Sequence, residues 1–214
     1  MKVSDEVIFL EEAFDVLNQK YFESALQRVA ITIQSTPTAH GHFTPWNSWE
    51  DSGEHLKEIN LGAESLKRPV ADVIATLLHE MVHYYCYVNG IKDTSRSGTY
   101  HNKRFKEECE KRDLIIKKAN VIGFSITCPT EEISQLVEDH CWEERIRLYR
   151  NRKGGVGRRI EGSPEGGEDK GKAVEKKSST RKYICPICGT SVRATKVVRI
   201  ACMDCGNVQM VPAD

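Results

Sequence analysis

LLHEMVHYYCYVNG, residues 77–90, holds the spacing that decides the fold: His79-Glu80-Met81-Val82-His83 within a stretch that reads as helix. Pro69 ahead of it and Gly90 behind it match the tendency of helices to open on proline and close on glycine. Positions i and i+4 of a helix lie about 40° apart, so both imidazoles can reach one ion. Glu80 falls about 100° from His79 and about 60° from His83, placed to take a proton from water activated by that ion. Zinc suits neutral imidazole donors with an open position, and it lowers the pKa of a bound water toward ~7. With 7 His and 21 Glu in the chain, chance supplies such a pattern about 0.02 times. Val70, Val73, Ile74, Leu77, Leu78, Met81 and Tyr85 form an apolar stripe on the side away from the histidines. The helix is therefore expected between a core and a site.

A third ligand is needed. A metzincin would place histidine at position 89, where Asn89 stands. His101, expected to open the next helix, is one candidate; Glu108, seven residues on and on the same face, is the other and would give a two-His, one-Glu site. Spacing alone leaves both open.

LLHEMVHYYCYVNG, a glycine-containing loop, then YHNKRFKEECEKRDL (residues 100–114), with EINLGAESL (58–66) upstream, resembles the SprT-like family of zinc metalloproteases, which includes the Spartan proteases. The resemblance spans roughly residues 5–150. It implies His101 as third ligand, with Phe105 four residues on; Asn102 stands where glycine is common in the family. It also implies a zinc-dependent endopeptidase with a zincin-like α+β fold, helices packed on a small sheet. By similarity to Spartan, the substrates would be DNA-associated proteins or DNA–protein crosslinks.

Outward from this centre, Ser4 is expected to cap a helix to about Phe22, and Val29–Ser35, Ala39–Trp46 and Leu56–Leu61 read as strands. A helix fading near Asp113, a short strand over Val121–Ile126 and a last helix capped by Thr130 with Arg145, Arg147 and Arg150 at its end complete a first domain, residues 1–150. Residues 151–182, rich in Gly, Lys, Arg, Glu and Ser, bury no core and read as a flexible basic linker. His40 and His42, and Trp46 and Trp49, are read as strand-end and sheet-packing residues. One tyrosine among Tyr84, Tyr85, Tyr87 and Tyr100 could serve an oxyanion.

Residues 183–214 form a unit around Cys185-Pro-Ile-Cys188-Gly and Cys202-Met-Asp-Cys205-Gly. Two such knuckles hold one structural zinc in a ribbon, and two pairs without a βαβ setting exclude a thioredoxin-type motif. Two zinc ions per chain are thus expected, one catalytic and one structural. Cys86, Cys109, Cys128 and Cys141 are expected reduced and buried.

The net charge of zero hides an asymmetry. Residues 1–144 carry 15 Lys/Arg against 24 Asp/Glu, a net of −9, and residues 145–214 carry 16 against 7, a net of +9. A basic tail suggests DNA as a partner through linker and ribbon, with Lys182, Tyr183, Arg193, Lys196 and Arg199 as contacts. The competing expectation is a nucleic-acid-binding regulator with a protease-like domain. The intact Glu80 speaks against it, since a structural zinc needs no base. No leader peptide or membrane span is read, so a cytoplasmic, DNA-associated monomer acting on protein substrates is expected.

Overall fold

The computed structural model describes residues 2–151 and 181–213, which fall into two compact units, Met1–Glu165 and Gly166–Asp214. The expected linker lies almost wholly outside the described residues.

The first unit is built around its second helix. α1 (Val3–Phe22) leads to β1 (Ala30–Gln34), β2 (Gly41–Asp51) and β3 (Glu54–Gly62), then α2 (Val70–Val88). The short β4 (Thr94–Ser95) and β5 (Tyr100–His101), α3 (Lys103–Glu110), β6 (Leu114–Ala119), β7 (Gly123–Pro129) and α4 (Glu131–Asp139) follow. One sheet has the order β1-β3-β2, with β1 parallel and β2 antiparallel to β3; the other has the order β4-β5-β7-β6. This mixed architecture is the expected α+β, zincin-like one. α2 touches both sheets and all three other helices, and Val73 to Val82 is buried without a break. A helix covered all round is held by packing rather than by a single amphipathic stripe. Phe9, Leu10, Ala13 and Leu17 of α1 pack into the same core.

Several boundaries differ from expectation for local reasons. α1 begins at Val3 rather than after Ser4, with the Lys2 N–H donating to the Asp5 carboxylate at 2.8 Å. His101 lies on β5; the helix after it starts at Lys103, capped by Asn102, whose Oδ1 accepts from Arg104 N at 2.8 Å and Phe105 N at 3.3 Å. The segment following α3 is a β6–β7 hairpin. α4 stops at Asp139, so the arginines expected at its end lie beyond it: Arg145 pairs with Glu12, and the Arg147 and Leu148 N–H groups donate to the buried Glu6. Trp46 and Trp49 do not pack over the sheet; they stand 67% and 47% exposed on β2. Cys86 and Cys109 are buried, Cys128 is half-buried and Cys141 is exposed, all reduced.

The second unit has strands β8 (Arg181–Ile184), β9 (Ser191–Ala194), β10 (Ala201–Cys202), β11 (Val208–Gln209) and β12 (Val211–Ala213), with a 3-10 turn at Met203–Cys205. β8 lies between β12 and β9, and β10 pairs with β11. Strand β8 starts at Arg181, two residues before the expected boundary. Tyr183 forms the small core with Cys185, Cys202 and Met210 and is only 3% exposed, its hydroxyl accepting from Val198 N at 3.2 Å. It is therefore unavailable to stack on a base, which corrects that expectation. Lys182 faces Arg193 directly across β8–β9, so both project from the same face, and Lys196 and Arg199 are exposed in the following loop.

Candidate metal centre

Two groups of donors converge, one in each unit: His79, His83 and His101, and Cys185, Cys188, Cys202 and Cys205. Within each group the ligand atoms lie within 4.8 Å of one another.

The histidine group is assembled from three elements and fixed from behind. α2 supplies His79 and His83 one turn apart; β5 supplies His101. Each Nδ1 has an outer partner. That of His79 is 2.6 Å from Thr127 Oγ1 on β7, that of His83 2.5 Å from Asp93 Oδ2, and that of His101 3.2 Å from the Ile122 carbonyl. Such bonds select the tautomer and aim Nε2 inward. A carbonyl only accepts, so His101 Nδ1 donates and its Nε2 carries a lone pair; the Asp93 carboxylate places His83 in the same state. Those two Nε2 atoms lie 3.1 Å apart. Two lone pairs at that distance repel unless a cation lies between them. A proton would join only two of the three rings, whereas a metal ion satisfies all three. Burial presses His79 well below its ordinary pKa and His101 down to about 4, which disfavours the proton and favours neutral ligands. The donor set therefore fits zinc.

Phe105 supports all three rings. It is fully buried, stacked on His83 at 4.2 Å between centroids and edge-on to His79 at 4.7 Å. Asn102 joins this support to the Asp93 loop: its Nδ2 donates to the Lys92 carbonyl at 2.7 Å, and its N–H to the Asp93 carbonyl at 3.0 Å. An asparagine here both caps α3 and ties down the loop that orients His83, which a glycine side chain cannot do.

Glu108, the alternative ligand, is committed elsewhere. Arg112 Nη1 donates to its Oε2 at 2.8 Å and Lys111 Nζ to its Oε1 at 2.7 Å. Burial opposes its charge, but those bonds outweigh it and keep the carboxyl below its usual range. Arg112 is itself locked over the Phe22 and Tyr85 rings, at 4.6 and 4.1 Å.

Glu80 is buried beside the histidines, and burial pushes its pKa up to about 7, partly opposed by His83 and by the Phe43 N–H that its carboxylate accepts. Gly41 makes room for it, since a Cβ there would lie 3.2 Å from Glu80 Oε1 and 2.9 Å from the Asn60 carbonyl. A buried carboxyl next to such a donor set is placed to receive and return a proton.

All of this opens onto a cleft of about 670 Å³ lined by the three histidines, Glu80 and the start of β2. His40, read from sequence as incidental, also lines it, with Nδ1 2.7 Å from Ser65 Oγ. Tyr87 is the one candidate tyrosine that does so. Tyr84 is buried against Phe43 with its hydroxyl bonded to the Gln27 backbone, and Tyr85 lies under Arg112. Asp93, Thr127 and Arg68 were not found from sequence, which carried no spacing signal for them.

The SprT-like family model matches residues 10–121, more than half of the chain and inclusive of all three histidines, Glu80 and Phe105. The chain belongs to the SprT-like family. That family is associated with metalloprotease-type function, and the SprT-like match ends just short of Ile122 and Thr127, which back up His101 and His79. No curated protein sequence matches the chain.

The cysteine group has the arrangement of a structural zinc site. Cys188 and Cys202 bring their Sγ atoms to 3.7 Å, one from each knuckle, and Gly189 and Gly206 turn the knuckles with positive φ. Four thiolates leave no open position, so such a site folds a ribbon rather than performing chemistry. Among the described residues, no helix is long and apolar enough to cross a membrane.

Proposed function

We propose that this SprT-like protein is a zinc-dependent endopeptidase with His79, His83 and His101 as ligands and Glu80 as general base. The observation that carries the reading is the 3.1 Å approach of the His83 and His101 Nε2 atoms beside the buried Glu80 carboxyl. Zinc bound there supplies an acidified water and polarises a carbonyl oxygen. Glu80 accepts the proton from the attacking water on its carboxylate and returns it to the leaving amine nitrogen. The buried side chain excludes bulk water from that transfer, and Phe43 N–H and Gly41 keep the carboxylate in position. Asp93 and Thr127 hold the imidazoles, and Asp93 offsets charge gathered at His83. β2, an edge strand opening on the cleft, offers unpaired backbone groups to an extended peptide.

Its substrates are proposed to be proteins bound to DNA, with linker and ribbon bringing the domain to them. The +9 charge of residues 145–214 supports this, as does the shared face of Lys182 and Arg193. Arg145, Arg147 and Arg150 already pair with Glu12, Glu144 and Glu64, so the attraction falls to residues 152–214. A labelled-DNA titration at two salt concentrations tests this: affinity must fall as salt rises, and deleting residues 152–214 must abolish it. Salt-independent binding, or none at low salt, would leave the peptidase and remove DNA as its guide.

A further inference from the structure

The metal cleft extends past Glu80 toward the start of α2, where it is lined by Arg68, Asp72, Thr76 and His40. Arg68 is half-buried there. Its Nε donates to the Ser65 carbonyl at 3.0 Å and its Nη2 to Thr76 Oγ1 at 2.8 Å, while Thr76 donates on to the Asp72 carbonyl at 2.9 Å. Nη1 has no hydrogen-bond partner among the described residues. No carboxylate lies within ion-pair distance of Arg68 among them either, although Asp72 is near enough to act on it through space. With Arg68 only half-buried in the cleft wall, the edge of its guanidinium left without a partner stays open to solvent and to an anionic group in the cleft. His40 lies on the same wall, its Nδ1 bonded to Ser65 Oγ.

We propose that Arg68 is a carboxylate-binding subsite that selects peptides with an acidic group near the bond to be cleaved. This rests on the peptidase reading above. Thr76 precedes Glu80 by one helical turn, about 6 Å along the axis. An extended peptide advances about 3.3 Å per residue, so a carboxylate one or two residues from the reacting carbonyl reaches Arg68. The planar fork of arginine matches a carboxylate's two oxygens. Asp72 moderates the site by lowering the positive potential an incoming acid meets.

The test uses zinc-loaded full-length protein with Glu80→Gln, so that binding is read without turnover. Fluorescein-labelled neutral octapeptides carry a single Glu walked through each position, each as free acid and as C-terminal amide, and affinity is followed by anisotropy. One register should bind about tenfold tighter than the neutral parent. Arg68→Gln should remove that preference, and Asp72→Asn should enlarge it. Tight binding by the free acid alone identifies the terminal carboxylate as the occupant; equal binding by the amide identifies the side chain. Equal affinity in every register, or a preference that survives Arg68→Gln, would overturn the subsite. Should Arg68→Gln fail to fold, Asp72→Asn decides, and no gain in acidic preference counts against it. A DNA oligonucleotide that displaces the peptide only when Arg68 is present would overturn the carboxylate assignment in favour of phosphate. Wild-type enzyme that leaves the tight-binding peptide uncut would instead fault the peptidase reading.

Discussion

The Nε2 atoms of His83 and His101 approach to 3.1 Å although they come from different elements, α2 and β5, eighteen positions apart in the chain. With Nδ1 of each ring engaged by Asp93 or Ile122, that approach fits an ion shared by the rings. His101→Ala should therefore lose one zinc of two by elemental analysis, whereas Glu108→Ala should keep both and lose stability through the orphaned Arg112. Loss of zinc on Glu108→Ala with retention on His101→Ala would make the site the two-His, one-Glu kind.

Asp93 touches no ligand atom, yet it fixes the ring that does. Asp93→Ala should weaken zinc binding at the histidine site by roughly 10- to 100-fold, measured by chelator competition. The cysteine site should be unaffected. An unchanged affinity would remove Asp93 from the site.

What the sequence disclosed follows from periodicity. His79, Glu80 and His83 lie within one helix, so a fixed 100° step sets their relation before any tertiary contact exists. The two Cys-x-x-Cys knuckles are equally local. His101 was reached through family likeness, and its placement at the head of a helix was wrong by two residues because a two-residue strand leaves no periodic trace. Asp93, Thr127 and Arg68 were hidden for a related reason: each acts through a loop or strand brought alongside by folding. Tyr183 was misread because a lone aromatic in a basic segment does not say which face it takes; four residues of β8 turn it inward. Trp46 and Trp49 were expected to pack over the sheet, but β2 slips register between Thr44 and Trp49.

Gly123 illustrates how little space surrounds His101. Its φ is +76°, and a Cβ there would fall 2.2 Å from the His101 carbonyl and 2.9 Å from the Tyr100 ring. Gly123→Ala is expected to shift β5, lowering both zinc occupancy at the histidines and the unfolding temperature, by at least about 1 kcal/mol in stability. Full occupancy with unchanged melting would show that β5 tolerates the intrusion.

The buried Glu80 gives a pH signature in the metal-free protein. Its folded pKa of about 7 exceeds the usual 4.5, so the folded state holds the proton more tightly. Stability from this group is thus full below 4.5, declines as pH rises to about 7, and stays reduced above it. Glu80→Gln lacks that decline. Chelator-treated Glu80→Gln should match wild type near pH 4.5 and exceed it above pH 7 by up to about 3.4 kcal/mol, read by denaturant melts. A constant difference across that window would place the carboxyl in a more hydrated setting.

The most direct test of the central claim compares wild type with Glu80→Gln for both cleavage and metal. Glutamine keeps the size and hydrogen bonding of the side chain but cannot take up the proton from water. Cleavage of a DNA-binding protein by purified Glu80→Gln should fall at least ~100-fold, the usual share of general-base catalysis, with two zinc ions still bound per chain. Cleavage at the wild-type rate with both zinc ions present would contradict the assignment of Glu80 as the base.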